Sequence, residues 1–404
     1  MNILDHVRLD RATTIAGVRA VVDGTLVDDA RVTIEDGTIV DVSTGTHIGR
    51  GALDGRGSFL LPGLVDSHTD GLERECQPRQ TARLDTRFAL RSYESRLWSA
   101  GITTVFHGIG FDDRPGHQRT LESAVELWQT VSERQEQGSA PVDHRILHRL
   151  EARTVGGFDT LLSCLPTDGR AGPLPLVSFE DHTPGQGQYR DVKRFVEALS
   201  DEYLPAGMSR EERTRQVLEE AAASQQLVER NRADVGKLAR SGAVTALAHD
   251  VEDAPGVDAA YAWGARIAEF PLTVDAARRA RELEMPVVCG APNALRGGSH
   301  SGNVSARELV ASGLCTILAS DYLPTSLLAS VWLLARSGAT SLAGAVGLVT
   351  SGPAAALGLH DRGRIAPGWR ADLLLVDDDQ PWPLVRAVTT ATGRYGRFGE
   401  RSIA

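Results

Sequence analysis

The sequence predicts an α/β fold, a parallel (β/α)8 barrel carrying a small antiparallel β unit. Two observations predict it. Eight short apolar runs alternate with helix-prone stretches between residues 60 and 321, the pattern of a parallel sheet covered by its own crossover helices. Ahead of them, residues 13–58 form short alternating strands such as Arg31–Glu35 and Thr38–Val42. These are joined by the turn pairs Asp23-Gly24 and Asp36-Gly37, which suit tight hairpins.

In chain order the eight runs are Leu60–His68, Thr103–His107, Arg145–Glu151, Leu174–His182, Val244–His249, Arg266–Phe270, Pro286–Gly290 and Thr316–Asp321. His117–Glu136 and Thr273–Glu284 read as helices between them, and residues 191–240, charged and too long for one connection, as a helical excursion. At 404 residues the chain is one large domain or a barrel with a satellite. With 42% hydrophobic and 24% charged residues it is an ordinary soluble globule. A net charge of −10 argues against general binding to nucleic acid or acidic membranes, so an anionic small-molecule substrate would need a local cluster of arginines. Cys76, Cys164, Cys289 and Cys315 form no CxxC pair, which argues against a disulfide framework or a cysteine zinc site; Cys289 and Cys315 read as buried thiols. No signal peptide opens the chain and no apolar run reaches the ~18 residues of a membrane helix, so the cytoplasm is the expected location. A homo-oligomer is left open.

The chemistry sits at the ends of the runs. Phe59–Val65, broken by Pro62-Gly63, delivers Asp66, His68 and Asp70 at every second position, and a strand points such residues to one face. Imidazole and carboxylate together at a strand end make half of a metal site. Barrel enzymes place the active site at the carboxyl ends of the strands, and those ends supply His68, Asp70, Glu151, His182, His249 and Asp321. Taken singly, His182 and His249 read equally well as loop histidines and Asp321 as a helix cap. Together they form a cluster. Zinc suits such ligands, with manganese as the alternative and one or two ions per chain. The run from Gly290 to Asn303 is the other conspicuous stretch: Gly297-Gly298 lets amides approach a ligand, and Arg296, Ser299, His300, Ser301 and Asn303 add donors for phosphate or phosphonate oxygens. Arg149, two residues before Glu151 on the same face, Arg79 and Gln186 are further candidates for substrate contact. His107, His117, His144 and His148 read as surface or supporting residues, and Arg210–Arg215 as a solvated helix face.

Local wording carries a resemblance. "LPGLVDSHTD" resembles the first-strand motif of the amidohydrolase superfamily, usually written PG-hydrophobic-hydrophobic-D-x-H-x-H, with Asp70 in place of the second His. That replacement, followed by an acidic-basic stretch and Pro78-Arg79, resembles the PhnM family of phosphonate metabolism. "HRLEAR", "FEDHTPGQGQY", "LAHD", "GAPNALRGGSHSGN" and "ILASDYLPTSLL" follow the same family in order, and residues 361–376 resemble its closing "ADL" signature. The resemblance implies a distorted (β/α)8 TIM-like barrel over 62–354, with a small β-sandwich formed by the two chain ends, 1–61 and 355–404. It implies that Glu151 bridges two metals in place of a carboxylated lysine. It also implies that Asp321 is both a ligand and the base for the attacking water.

The implied reaction is metal-dependent hydrolysis of an α-D-ribose 1-alkylphosphonate 5-triphosphate, releasing pyrophosphate. The family favours Asn, Arg and Asp where this chain has Gly71, Gly187 and Val251, which leaves substrate identity open. A hydrolase of C–N bonds, the commoner chemistry of the superfamily, is the alternative, and a non-catalytic scaffold a weaker one. The donor-rich loop favours the phosphohydrolase.

Overall fold

Alternating apolar residues build the first strands. In the computed structural model, which describes residues 12–48, 52–79, 82–113, 119–166, 172–187, 192, 196, 208–298, 303–378 and 380–397, β1 (Ala12–Val22), β2 (Thr25–Glu35) and β3 (Thr38–Thr44) pair antiparallel. They bury Ile15, Val18, Ala20, Ala30, Val32, Ile34 and Ile39 in one cluster. Both central residues of each hairpin turn, Asp23-Gly24 and Asp36-Gly37, have positive φ, the conformation that matches the twist of the flanking strands. β4 (Leu53–Asp54) and β5 (Phe59–Pro62) lie parallel to β1.

The expected first barrel strand, Leu60–His68, is in fact two strands in two sheets. The chain changes sheet at Gly63, where a Cβ would come within 2.1 Å of the Thr103 side chain. Beyond it run β6 (Leu64–Thr69), β7 (Ile102–Phe111), β8 (Asp143–Glu151), β9 (Leu176–Glu180), β10 (Thr245–His249), β11 (Ala265–Glu269), β12 (Val287–Gly290) and β13 (Ile317–Ala319), parallel and in sequential order. Each strand gives an aliphatic or aromatic residue to the barrel filling, Val65, Phe106, Leu147, Leu176, Leu247, Ile267, Val288 and Ile317, with Ala319 as a second from the last strand, and Ala354, Leu357 and Leu359 complete that cluster. Each such burial contributes about 1.5–3 kcal/mol. A larger cluster lies between the strands and the covering helices.

The ring closes where β13 meets β6. Thr69 bridges Asp321: the Asp321 amide donates to the His68 carbonyl at 3.0 Å and the Asp70 amide to the Asp321 carbonyl at 2.5 Å. Asp66 fastens the same seam, accepting from the Ser320 amide at 2.9 Å and hydroxyl at 2.5 Å. The helix Leu121–Glu136 starts on a Thr120–Ser123 capping box, and the helix Arg210–Arg240, which fills the second part of the expected excursion, on a Ser209–Glu212 box.

β14 (Leu373–Asp377), β15 (Leu384–Thr389) and β16 (Tyr395–Arg397) return to the first sheet, giving the order β16-β15-β14-β5-β1-β2-β3, with Leu373 opposite Pro62 and Val376 opposite Phe59. Both chain ends thus build one separate sheet beside the barrel. All four cysteines are buried and unpaired. Among the described residues no helix is long and apolar enough to cross a membrane.

Candidate metal centre and active site

Two groups of metal-type side chains gather at the carboxyl ends of the barrel strands, each with ligand atoms within 4.8 Å of one another. One is His68, Asp70 and Asp321; the other is Glu180, His182 and His249. The first straddles the barrel seam, and the second joins β9, the residues just past it, and β10. Asp250, Phe270 and Asp321 follow their strands in the left-handed region, at φ of 52°, 53° and 56°. Non-glycine residues held there cost about 1–3 kcal/mol and collect at functional sites. All three line the same cavity.

The strand count places Glu151, His182 and His249 on or just beyond the third, fourth and fifth barrel strands. Glu151, however, does not join either ligand group. Its Oε2 lies 2.8 Å from His182 Nδ1, and the carboxylate that groups with His182 and His249 is Glu180. The physical reason is register. Glu151 and Glu180 are paired across β8 and β9, so the two carboxylates stand at one height and only the lateral position separates them.

Buried carboxylates hold the rings. Glu269, the last residue of β11, is fully buried and accepts from His68 Nδ1 at 2.8 Å, His249 Nδ1 at 2.8 Å and Ser178 Oγ at 2.6 Å. Burial alone would raise its pKa, but the facing imidazoles outweigh this and keep it well below the carboxylate range. Burial opposes charge on His68, yet Glu269 and Asp70 hold its pKa well above the usual value. Against the same opposition, Asp250, Glu180 and Glu269 push His249 up to about 9. A field that retains extra positive charge on buried imidazoles also favours a divalent cation. Imidazoles with Nδ1 held by a carboxylate, beside further carboxylates, are the donor set and outer partners of a transition-metal site. The residues fit a metal.

Arg149 is buried between the groups. It donates to Glu180 at 2.6 and 3.0 Å and to Asp70. Its guanidinium outweighs the effect of burial and holds Glu180 ionised well below the usual range. Gly108 on β7 makes room for it, since a Cβ there would lie 2.8 Å from Arg149 Cδ and 2.9 Å from Asp70 Oδ1. The donors expected to meet substrate are therefore engaged by ligand carboxylates.

The cavity over both groups measures about 500 Å³ and is also lined by Arg74, Arg119, Arg296, Asn293, Asn303 and Tyr322. Arg296 ends the helix Ala291–Arg296, and Gly297 follows at φ 81°, terminating it. Gly298 is described beside it, whereas Ser299, His300 and Ser301 lie outside the described residues. Arg79 and Gln186 are exposed and do not line the cavity. Arg74 and Arg119 escaped the sequence reading. Arg74 lies four residues past Asp70 on the helix Gly71–Cys76, a spacing that shares a helix face, and its guanidinium packs 4.9 Å from the centre of the Tyr322 ring. Arg119 pairs with Glu73.

Two of the departures from the family pattern have local causes. A side chain at Gly71 would meet the Tyr93 hydroxyl at 2.0 Å. Gly187 sits at φ 59° and its amide donates to Glu252. Val251 packs against the outer core. His107, His144 and His148 prove buried rather than superficial, on the helix-facing side of β7 and β8. His107 meets His144 at 2.8 Å, and His144 meets Glu94 at 2.9 Å. His117 lies outside the described residues.

A parallel barrel with imidazole and carboxylate groups at its strand ends defines the class of barrel-type metal-dependent hydrolases. The amidohydrolase family matches over residues 248–395. Over 332 residues, 80% of this chain and 84% of the relative, the sequence is 37% identical to alpha-D-ribose 1-methylphosphonate 5-triphosphate diphosphatase of Escherichia coli strain K12. Among solved structures, 5-methylcytosine deaminase from Klebsiella pneumoniae superposes with a TM-score of 0.63 at 15% identity, covering 97% of this chain and 99% of that one. Dihydropyrimidinase from Brevibacillus agri gives 0.57 at 14% identity, with 95% and 94% covered. Likeness at that identity is likeness of fold. The chain belongs to the PhnM family of the amidohydrolase superfamily, the family of the E. coli diphosphatase.

Proposed function

We propose that this protein hydrolyses an α-D-ribose 1-alkylphosphonate 5-triphosphate to the 5-phosphate and pyrophosphate, using divalent metal, with zinc the best match to the donor set. The observation that carries the reading is the cavity itself. Both ligand groups open onto it, and so do Arg74 and Arg296, neither of which forms an ion pair with a carboxylate among the described residues, although Arg74 is close enough to Asp321 to favour its charged form. A site for a neutral C–N substrate has no need of arginines held apart from carboxylates, whereas a triphosphate does.

When bound, metal ions supply Lewis acidity and lower the pKa of water toward neutrality. The protein supplies the rest. Asp321, which lines the cavity within the first ligand group and whose pKa burial raises, takes the proton of the attacking water. Water oxygen bonds to the α-phosphorus, the bridge to the β-phosphorus breaks, and pyrophosphate leaves with the electron pair. Arg74 and Arg296 face the charge that grows on that leaving group. Arg149 keeps Asp70 and Glu180 ionised and aligned.

Hydrolysis in oxygen-18 water tests the reading. Label should enter the ribose 5-phosphate product and not the pyrophosphate. A metal-loaded protein that released no pyrophosphate but opened a cyclic amide would overturn it.

A further inference from the structure

Among the described residues, Glu269 is the one whose carboxylate meets a histidine from each ligand group. It ends β11, is 0% exposed, and belongs to neither group itself. Oε1 lies 2.8 Å from His68 Nδ1, and Oε2 lies 2.8 Å from His249 Nδ1. The Ser178 hydroxyl, from β9, donates to Oε2 at 2.6 Å. An ionised carboxylate only accepts hydrogen bonds. Both rings must therefore donate Nδ1–H, so the nitrogen each can give up to a metal, once its second proton leaves, is Nε2, which faces Asp70 in His68 and Asp250 in His249.

We propose that Glu269 is a positioning residue that couples the two metal positions, by fixing His68 and His249 in the same tautomer at the same time. The sixth barrel strand then ends in a group that binds no metal and instead sets a ligand in each position. His182 is outside this coupling, because its Nδ1 is held by Glu151 at 2.8 Å. The proposal rests on the metal assignment made above and not on the identity of the substrate.

The discriminating variant is Glu269→Gln, which keeps the volume but offers one acceptor oxygen and an NH2 donor. One ring can still give its Nδ1–H to the amide oxygen. The other faces N–H and must move its proton to Nε2 to accept, which blocks that nitrogen as a ligand. Zinc affinity at the affected position should fall about 10- to 100-fold, the usual loss when a ligand's outer partner is removed. Nitrogen-15 spectra of histidine-labelled, zinc-loaded protein should show His68 and His249 both as Nδ1–H in the wild type, and one of them as Nε2–H in Glu269→Gln. Glu151→Gln is the control and should disturb only the His182 resonances.

Two results would overturn the proposal. One is a folded Glu269→Gln protein with unchanged zinc affinity and both rings still Nδ1–H. The other is a spectrum of zinc-loaded wild type in which either ring carries its proton on Nε2 and none on Nδ1, a readout that needs no variant to fold. Wild-type protein that binds no zinc at all would instead remove the metal assignment beneath it, and that measurement is made first.

Discussion

Asp321 combines a left-handed backbone, a carboxyl raised by burial and a place in the first ligand group. Asparagine keeps its shape and its tolerance of that conformation but cannot take a proton. Asp321→Asn should therefore lower kcat by at least ~10², the low end for a general base, with the melting temperature of the metal-free protein little changed. Near-normal turnover would show that another residue is the base. His148 offers a test of stability at the same scale. Its Nδ1–H donates to the Leu176 carbonyl at 2.9 Å, and burial pushes its pKa down from 6.5 to about 4. The unfolded chain binds a proton below pH 6.5 that the folded protein refuses until about pH 4. Stability from this residue is thus intact above 6.5 and falls as pH drops through that window, by about 3 kcal/mol at most. Urea unfolding across the range should show the loss in wild type and a shallower pH dependence in His148→Leu.

At the scale of elements, each strand end has a distinct task. β7 contributes space: Gly108 leaves room for Arg149, so Gly108→Val should displace Arg149 from Asp70 and weaken the first ligand group. β8 and β9 present Glu151 and Glu180 at the same height, and β11 presents Glu269 to both groups. At the amino ends of the strands the chain is fastened differently. Arg362, buried beyond β13, donates to Thr104 Oγ1 on β7 at 2.9 Å and to Asp143 on β8 at 2.5 Å. Removing it leaves Asp143 with Arg145 alone, 3.1 Å away. Breaking a buried pair from one side costs about 3 kcal/mol or more. Arg362→Ala should lose that much in chemical denaturation while zinc content stays the same. A drop in zinc content instead would mean that the two ends of the barrel are not independent.

At the scale of the molecule, the ligand groups tie together strands that are far apart in the chain, and one of them spans the seam between β13 and β6. A metal bound only by the folded form stabilises it by mass action, about 2.7 kcal/mol at a hundredfold excess over Kd. Zinc should raise the melting temperature of the stripped protein, and a chelator should reverse the rise. Absence of any shift would argue against the metal centre, whatever the activity.

Periodicity and local motifs were enough to determine the eight barrel strands in order, the hairpins at one chain end and five of the six grouped side chains, His68, Asp70, His182, His249 and Asp321. These are local properties: a strand end is marked by where an apolar run stops. Tertiary structure decided what depends on lateral position. It separated Glu180 from Glu151, which a linear reading cannot do when two residues occupy equivalent places on neighbouring strands. It showed that Arg149 faces carboxylates and that Arg74 faces the cavity. It also brought Glu269 to two histidines 201 and 20 residues away in sequence. Nothing in the local wording of "ARIAEF" carries that, because the hydrogen bonds exist only once the sheet has curved round to bring β6, β10 and β11 to one mouth.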